Sequence, residues 1–418
     1  MSQRWGLGAT VVAIGFFGST SVAFAQAEAA PAAINPACGE QKFAKKVEKN
    51  MRAADKASTD KKWDEVLAQV REAEAVEGEK NEWHKFYVHE YSGTAYVNLK
   101  KYPEAELEFG TALNSPCMPE AQKPNRYKVL LQLAYQNKNY PKAIEYGNLA
   151  VKAGGDPDLM VYVGNAYYIQ NDNENTRRVM ADLVKAQEAK GAKPEEQTYR
   201  ILQSACSNLK DNACVIDQFE KLVAHYPKAD YWTSLIGSML RESKNDKQLL
   251  SVLRLAKGSD VLTEADQFYE MSRLALDQGL PGEAQTTVEE GFQKGIFKDA
   301  REKDRSTRLL DEAKKAAAYD KTTIDKQDAS AKAKPTGDSD VKLGAAYLSY
   351  SQPEKAIEAI KRGVAKGGVK DPDEAGLLLG MAYLRMGDKA EAANAFRTVT
   401  SNPLMARVAK LWLLKAMS

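Results

Sequence analysis

One spacing constrains this chain more than any other feature. A glycine, a tyrosine, an alanine, an aromatic residue and a second alanine stand at Gly93, Tyr96, Ala105, Phe109 and Ala112. The same offsets return at Gly344, Tyr347, Ala356, Ile360 and Gly363, and again at Gly380, Tyr383, Ala392, Phe396 and Val399. Gly344 and Gly380 are 36 residues apart, and self-similarity at about that period marks an array of helix pairs. Small residues at the first and third places let two antiparallel helices approach, and the aromatic places fill the space beside the contact. Proline recurs at Pro103, Pro141, Pro281 and Pro353, two or three residues before the packing alanine. That puts it in the first turn of each second helix, where its missing N–H costs nothing. One pair cannot bury both its faces, so pairs must stack. No segment alternates apolar and polar residues for long, and no sheet is expected.

Weaker copies fill the middle. Ala134-Tyr135 with Ala143, Gly147 and Ala150 read as a unit with a turn one residue shorter. Gly164, Ala166 and Tyr167 begin another, whose second helix (177–190) has lost the alanine signature. Residues 202–208 with 215–225, 231–242 with 246–257, and 265–278 with 282–294 form three more helical hairpins. Upstream, Trp63, Val66, Leu67, Val70 and Ala73 make one apolar stripe, and Phe43, Val47, Met51 and Ala54 line the helix before it.

These motifs resemble the tetratricopeptide repeat family, whose signature places Gly, Tyr, Ala, an aromatic and Ala at positions 8, 11, 20, 24 and 27 of a unit. The resemblance implies an all-α fold, a right-handed superhelical solenoid of antiparallel helix pairs, with protein partners held on the concave face. In the family that face is built mainly by first-helix positions 2, 5, 9, 12 and 13. Carried over, these are Tyr87, Glu90, Thr94, Val97 and Asn98; Val161, Asn165 and Tyr168; Val341, Ala345 and Leu348; and Leu377, Met381, Leu384 and Arg385. Members that bind chaperone tails carry Lys and Asn at positions 5 and 9. Glu90 and Thr94 stand there instead, so a basic clamp is not expected. The layout is also similar to exported bacterial repeat proteins described as accessory components of TonB-type systems, through the Phe-Glu-Lys-Leu-Val-Ala-His-Tyr-Pro run at 219–227, Gly282-Glu-Ala284 with Glu290-Gly291, and Lys366-Gly-Gly368. That resemblance implies a periplasmic adaptor that takes a partner peptide or helix in its groove.

Between 299 and 337 the large apolar residues thin out to Leu309, Leu310, Tyr319 and Ile324. A charged helix over 301–318 and a linker beginning near 329 are expected there. The organisation predicted is a signal peptide at 1–25, a flexible segment at 26–40, a solenoid of about six helix pairs at 41–298, a charged helix and linker at 299–336, and a C-terminal pair with a capping helix at 337–418. Leu404, Val408, Leu411 and Trp412 share one face of that last helix.

The N-terminus carries Arg4, an uncharged run over 5–18 and Ala23-Phe24-Ala25, the parts of a secretory signal peptide in order. The run is shorter than the roughly 20 residues of a membrane span. A periplasmic location is expected, with no integral membrane segment after cleavage. Four cysteines in an exported chain permit disulfides. On one straight helix Cys206 and Cys214 would lie about 12 Å apart, too far to bridge. Their bond needs the chain to turn back at Lys210-Asp211-Asn212, which leaves Cys38 and Cys117 to each other; four free thiols or a metal pair are the alternatives.

Lys and Arg total 59 against 57 Asp and Glu, which gives no electrostatic case for nucleic acid or an anionic membrane. His84, His89 and His225 fall at no metal-ligand or catalytic spacing. No phosphate loop or nucleophile elbow occurs. The expectation is a binding protein with no cofactor and no metal, not an enzyme. A scaffold for outer-membrane protein assembly or polysaccharide export is the alternative of the same class. An enzyme with its site in the degenerate middle repeats is the alternative of another class.

Overall fold

Lys61, Lys100, Lys138, Asn171 and Ser351 hold left-handed backbone, with φ between 56° and 60°. Gly279 and Gly387 do the same at 72° and 78°. Each stands between the two helices of a pair, at position 15 in the frame that makes Gly93 position 8. The residue after it donates its N–H back five residues: Lys101 to the Tyr96 carbonyl at 2.8 Å, Asn139 to Ala134 at 2.8 Å, Gln352 to Tyr347 at 3.0 Å and Asp388 to Tyr383 at 3.0 Å. This left-handed stop closes the first helix's last carbonyls. The second helix then starts at once, with Pro103, Pro141 or Pro353 in its first turn. One short turn, repeated, makes the antiparallel pair.

The structure is a computed structural model and describes residues 35–417 apart from residue 79. The expected signal peptide and most of the 26–40 segment lie outside the described residues. Two compact units meet at Lys210 and Asp211. The first contains α1 (Lys45–Thr59), α2 (Trp63–Ala75), α3 (Glu82–Asn98), α4 (Tyr102–Leu113), α5 (Lys123–Gln136), α6 (Tyr140–Lys152), α7 (Met160–Ile169), α8 (Asn173–Ala189) and α9 (Glu196–Asn208). The second contains α10 (Asn212–His225), α11 (Ala229–Glu242), α12 (Asp246–Gly258), α13 (Ala265–Asp277), α14 (Pro281–Gln293), α15 (Ala300–Ala333), α16 (Asp338–Ser349), α17 (Pro353–Lys366), α18 (Pro372–Arg385), α19 (Lys389–Arg397) and α20 (Pro403–Met417). Among the described residues there is no strand, and within each unit consecutive helices pack on one another. The fold is an all-α array of tetratricopeptide-like helix pairs.

Within a pair, position 8 of the first helix meets position 24 of the second. A Cβ on Gly93 would come 2.6 Å from Phe109, on Gly344 2.4 Å from Ile360, and on Gly380 2.4 Å from Phe396. The α5–α6 pair keeps this contact with the sizes exchanged. Leu131 takes the glycine place and Gly147 the aromatic one, where a Cβ would lie 3.6 Å from Leu131 and 2.3 Å from Val163 of the next pair. The unit is therefore not a residue short. Its turn carries the same left-handed Lys138, and Leu131 rather than Ala134 sets its frame.

The second unit corrects two expectations. Residues 299–336 do not separate two domains, because one apolar core runs from Val223 through Leu309, Ala313 and Ala331 to Trp412. A capping box of Asp299 and Glu302 starts α15. Leu309, Ala313 and Ala317, four apart, then bury one narrow stripe along it. Only 334–337 remains between α15 and α16. Nor does α20 merely cap the last pair. Trp412 stacks on Phe396 at 6.5 Å and 7°, but the rim of the same indole fills the space beside Gly258 of α12. Arg407 reaches Glu220 at 2.9 Å and Glu242 at 2.6 Å. The last helix thus closes the second unit onto its own beginning.

Candidate functional site

In the first unit the expected groove residues lie on α3 and α7, and not all of them are open to solvent. Tyr87 packs against Trp83 at 4.8 Å, Phe86 at 5.2 Å and Phe43 at 5.7 Å between ring centres. Burial, aided by the nearby Glu90 and Asp55 carboxylates, pushes its phenol up to about 12. Glu90 is only 6% exposed and pairs with Arg126 of α5, whose guanidinium lies 4.0 Å over the Phe109 ring. Burial raises the Glu90 carboxyl above its ordinary value against the pull of Arg126. Thr94 is buried and donates to the Glu90 carbonyl at 2.8 Å. Glu90 and Thr94 therefore belong to the contact between α3 and α5. Val97 packs half-buried beside Phe109, Leu130 and Leu133. Asn98 stays exposed at the helix end, its amide on the Thr94 carbonyl at 2.8 Å.

The next helices carry a polar row. Asn165 Nδ2 donates to the Tyr135 hydroxyl at 2.6 Å, and the hydroxyls of Tyr168 and Ser204 lie 2.9 Å apart. These bonds join α5 to α7 and α7 to α9. Val161 is half-buried beside them, and Gln132 and Gln136 extend the row on α5. Burial first, and Tyr140 second, push the Tyr135 phenol up to about 12, so at neutral pH it is a hydrogen-bonding group and not an anion. The sequence reading gave Tyr135 to the packing set and did not single out Ser204. Once Leu131 fixes the frame, Tyr135 is position 12, and Ser204 is position 9 of its own unit. The row combines amides and hydroxyls with no formal charge, a chemistry suited to the N–H and C=O groups of a peptide backbone.

The groove positions of the second unit fare differently. Val341, Leu348 and Leu377 are 3–4% exposed and Ala345 8%, all within the continuous core. These four are therefore mainly packing residues, although Val341 and Ala345 also line a half-open cavity together with α15. Met381, Leu384 and Arg385 line a half-open cavity.

Cys38 and Cys117 are joined, with Cα atoms 4.8 Å apart. Cys206 and Cys214 are both disulfide-bonded, and no described cysteine is free. His89 Nδ1 lies 2.6 Å from Glu108. His84 is 1% exposed and neither ring nitrogen has a hydrogen-bond partner among the described residues. Burial, with Lys80 nearby, lowers its affinity for a proton. The folded chain thus keeps His84 neutral where the unfolded chain takes up a proton, near pH 6.5. This contribution to stability is whole above that pH and is lost as pH falls. Calorimetry should show the first unit's melting temperature falling between pH 7.5 and 5.5, and falling less in His84→Leu; an equal drop in both would assign it to other groups. Among the described residues no cluster of three or more potential metal ligands occurs.

No family model and no curated protein matches the sequence. Similar solved structures include the TPR2AB domain of yeast Sti1 in complex with pHSP90, at 17% identity over 71% of this chain and 100% of that one, with a TM-score of 0.25. The apo form of RapI is similar at 14% identity over 77% of this chain and 99% of that one, with a TM-score of 0.31. Superpositions this loose carry nothing about partners. The helix-pair fold rests on the turns and the position 8 to 24 contacts described above.

Proposed function

We propose that this chain is a periplasmic protein–protein interaction adaptor, an accessory of a TonB-type transport system, that holds a partner peptide along the first helices of its first unit. The observation that carries the reading is the uncharged row of Tyr135, Asn165, Tyr168 and Ser204, continued by Gln132 and Gln136. Such groups can exchange their mutual hydrogen bonds for those of an extended backbone at little cost. Asn98 lies at the α3 end of the same series of helices. The Cys38–Cys117 disulfide supports an oxidising compartment. No described helix is long and apolar enough to cross a membrane. The balanced charge argues for a partner chosen by shape and hydrogen bonding.

A photo-crosslinking amino acid in place of Ile169, exposed at the end of α7, should capture a discrete partner from the cell envelope. Asn165→Ala combined with Tyr168→Phe should cut that capture at least about tenfold with unchanged helicity, since each lost hydrogen bond is worth about 1 kcal/mol. Undiminished capture by the double variant would remove the row from the mechanism. A TonB-like protein among the products supports the transport reading. Assembly factors of outer-membrane proteins or polysaccharide export would replace it. Metal-dependent or metal-independent hydrolysis by the purified chain would overturn the adaptor reading altogether.

A further inference from the structure

A half-open cavity of the second unit has a chemistry of its own, independent of the peptide row. Its volume is about 290 Å³, at the lower end of small-molecule sites. Two of its three cationic side chains are neutralised inside the protein. Arg254 grips Glu283 through two bonds, of 2.8 and 2.5 Å. Lys257 pairs with Glu290 at 2.9 Å. Arg385 is different. Among the described residues its guanidinium reaches no carboxylate, and its hydrogen bond goes to the Leu348 backbone carbonyl. Arg385 is exposed as a residue, yet desolvation of its guanidinium lowers its affinity for a proton, with Glu283 opposing that effect. Two further lining residues, Ser349 and Trp412, are at least nine-tenths buried and carry a hydroxyl and an indole N–H without a partner among the described residues. The rest of the wall is apolar, from Met271, Met381 and Leu384.

We infer that this cavity binds a small aliphatic carboxylate, its oxygens on Arg385 and its chain along Met381, Leu384 and Met271. One unneutralised cation matches one negative charge. An indole N–H can only donate, and a carboxylate only accepts. A guanidinium binds such a group through two parallel bonds. A phosphate dianion would bring a second charge without a counterpart and would leave the methionine and leucine walls unused. The same carboxylate could arrive as a free short-chain acid or as the C-terminus of a peptide with an aliphatic last residue.

The test uses the purified full chain, titrated calorimetrically with hexanoate, hexanamide, inorganic phosphate, a tetrapeptide ending in leucine and the C-terminal amide of that peptide. Hexanoate or the free-acid peptide should bind, raise the second unit's melting temperature and change tryptophan fluorescence. The neutral amides should bind at least about tenfold more weakly, since the charge-assisted bonds are lost. Whichever carboxylate binds identifies the source. Arg385→Gln should reduce affinity at least about tenfold. If that variant does not fold, Ser349→Ala should weaken binding, and the acid-to-amide ratio in the unaltered chain still decides. Absence of binding by both carboxylates, equal binding of acid and amide, tighter binding of phosphate, or a folded Arg385→Gln of full affinity would each overturn the inference.

Discussion

Asp340→Ala is expected to lower the stability of the second unit by about 2–3 kcal/mol, because it takes the buried carboxylate away from two half-buried cations, Arg362 and Lys366. Asp340 has no exposed surface. Its two oxygens receive Arg362 Nε at 2.7 Å and Lys366 Nζ at 2.8 Å. Arg362 also holds Asp328 at 2.7 Å, and Lys366 bonds the carbonyls of Ala331 at 2.8 Å and Lys332 at 3.1 Å. The cluster therefore ties the last turns of α15 to α16 and α17. Without Asp340, Arg362 keeps Asp328 and the more distant Glu358, Lys366 keeps only backbone carbonyls, and the α15 end should fray. Urea titration of the full chain would read the lost stability. Trypsin should cut the folded variant at Lys332 or Lys334 while sparing the unaltered chain there. An unchanged urea midpoint would mean that apolar packing at Ala331 holds the segment unaided. Replacing Asp340, Arg362 and Lys366 together by apolar residues of similar volume should cost much less than Asp340→Ala.

That cluster also shows where the sequence stops being legible. The clear repeats could be read because one physical event, a glycine at position 8 under a large side chain at position 24, leaves a glycine and a large apolar residue at the same spacing each time. Exchanging the sizes, as Leu131 and Gly147 do, preserves the packing and erases the letters. The left-handed turn was hidden for a similar reason. Lys61, Lys100 and Lys138 hold a conformation that glycine or asparagine usually marks. In α15, alanine rather than leucine buries the contact face, so a packed helix has the composition of a tether. The partly open groove was harder still. Leu377 occupies a family groove position, and nothing in its own repeat tells that Val408 and Trp412 of α20 return beside it. That information lies in Arg407, Glu220 and Glu242, far apart in sequence and unremarkable one at a time. In the first unit Asn165 and Tyr168 form part of an uncharged hydrogen-bonded row, and the corrected frame adds Tyr135 and Ser204 to it.

Cys117→Ser is expected to destabilise the start of the first unit by roughly 4 kcal/mol, the chain-entropy value for a closed loop of this size. The bond spans a sequence separation of 79 residues, enclosing α1 to α4. Its two cysteines are 2% and 0% exposed, and Phe86, Ala112 and Met118 pack around them. The bridge fixes the segment before α1 to the turn after α4. Apart from it, that segment is held by the Asn81 amide, which donates to the carbonyls of Glu40 at 3.3 Å and Lys42 at 2.8 Å, and by Phe43 packing on Tyr87. Loss of the bond should thus act locally. Hydrogen exchange should quicken in 45–75 of the variant while 140–152 keeps its protection. Equal protection in both proteins would show that α1 and α2 hold by packing alone. The same bond bears on where the chain works. A buried disulfide resists reductant only while the fold persists, and a new chain in a reducing compartment would not form it. Peptide mapping without reductant, on protein taken from its native cells, should find Cys38 joined to Cys117. Free thiols at both positions in folded native material would withdraw the main support for an oxidising compartment, and with it the periplasmic reading.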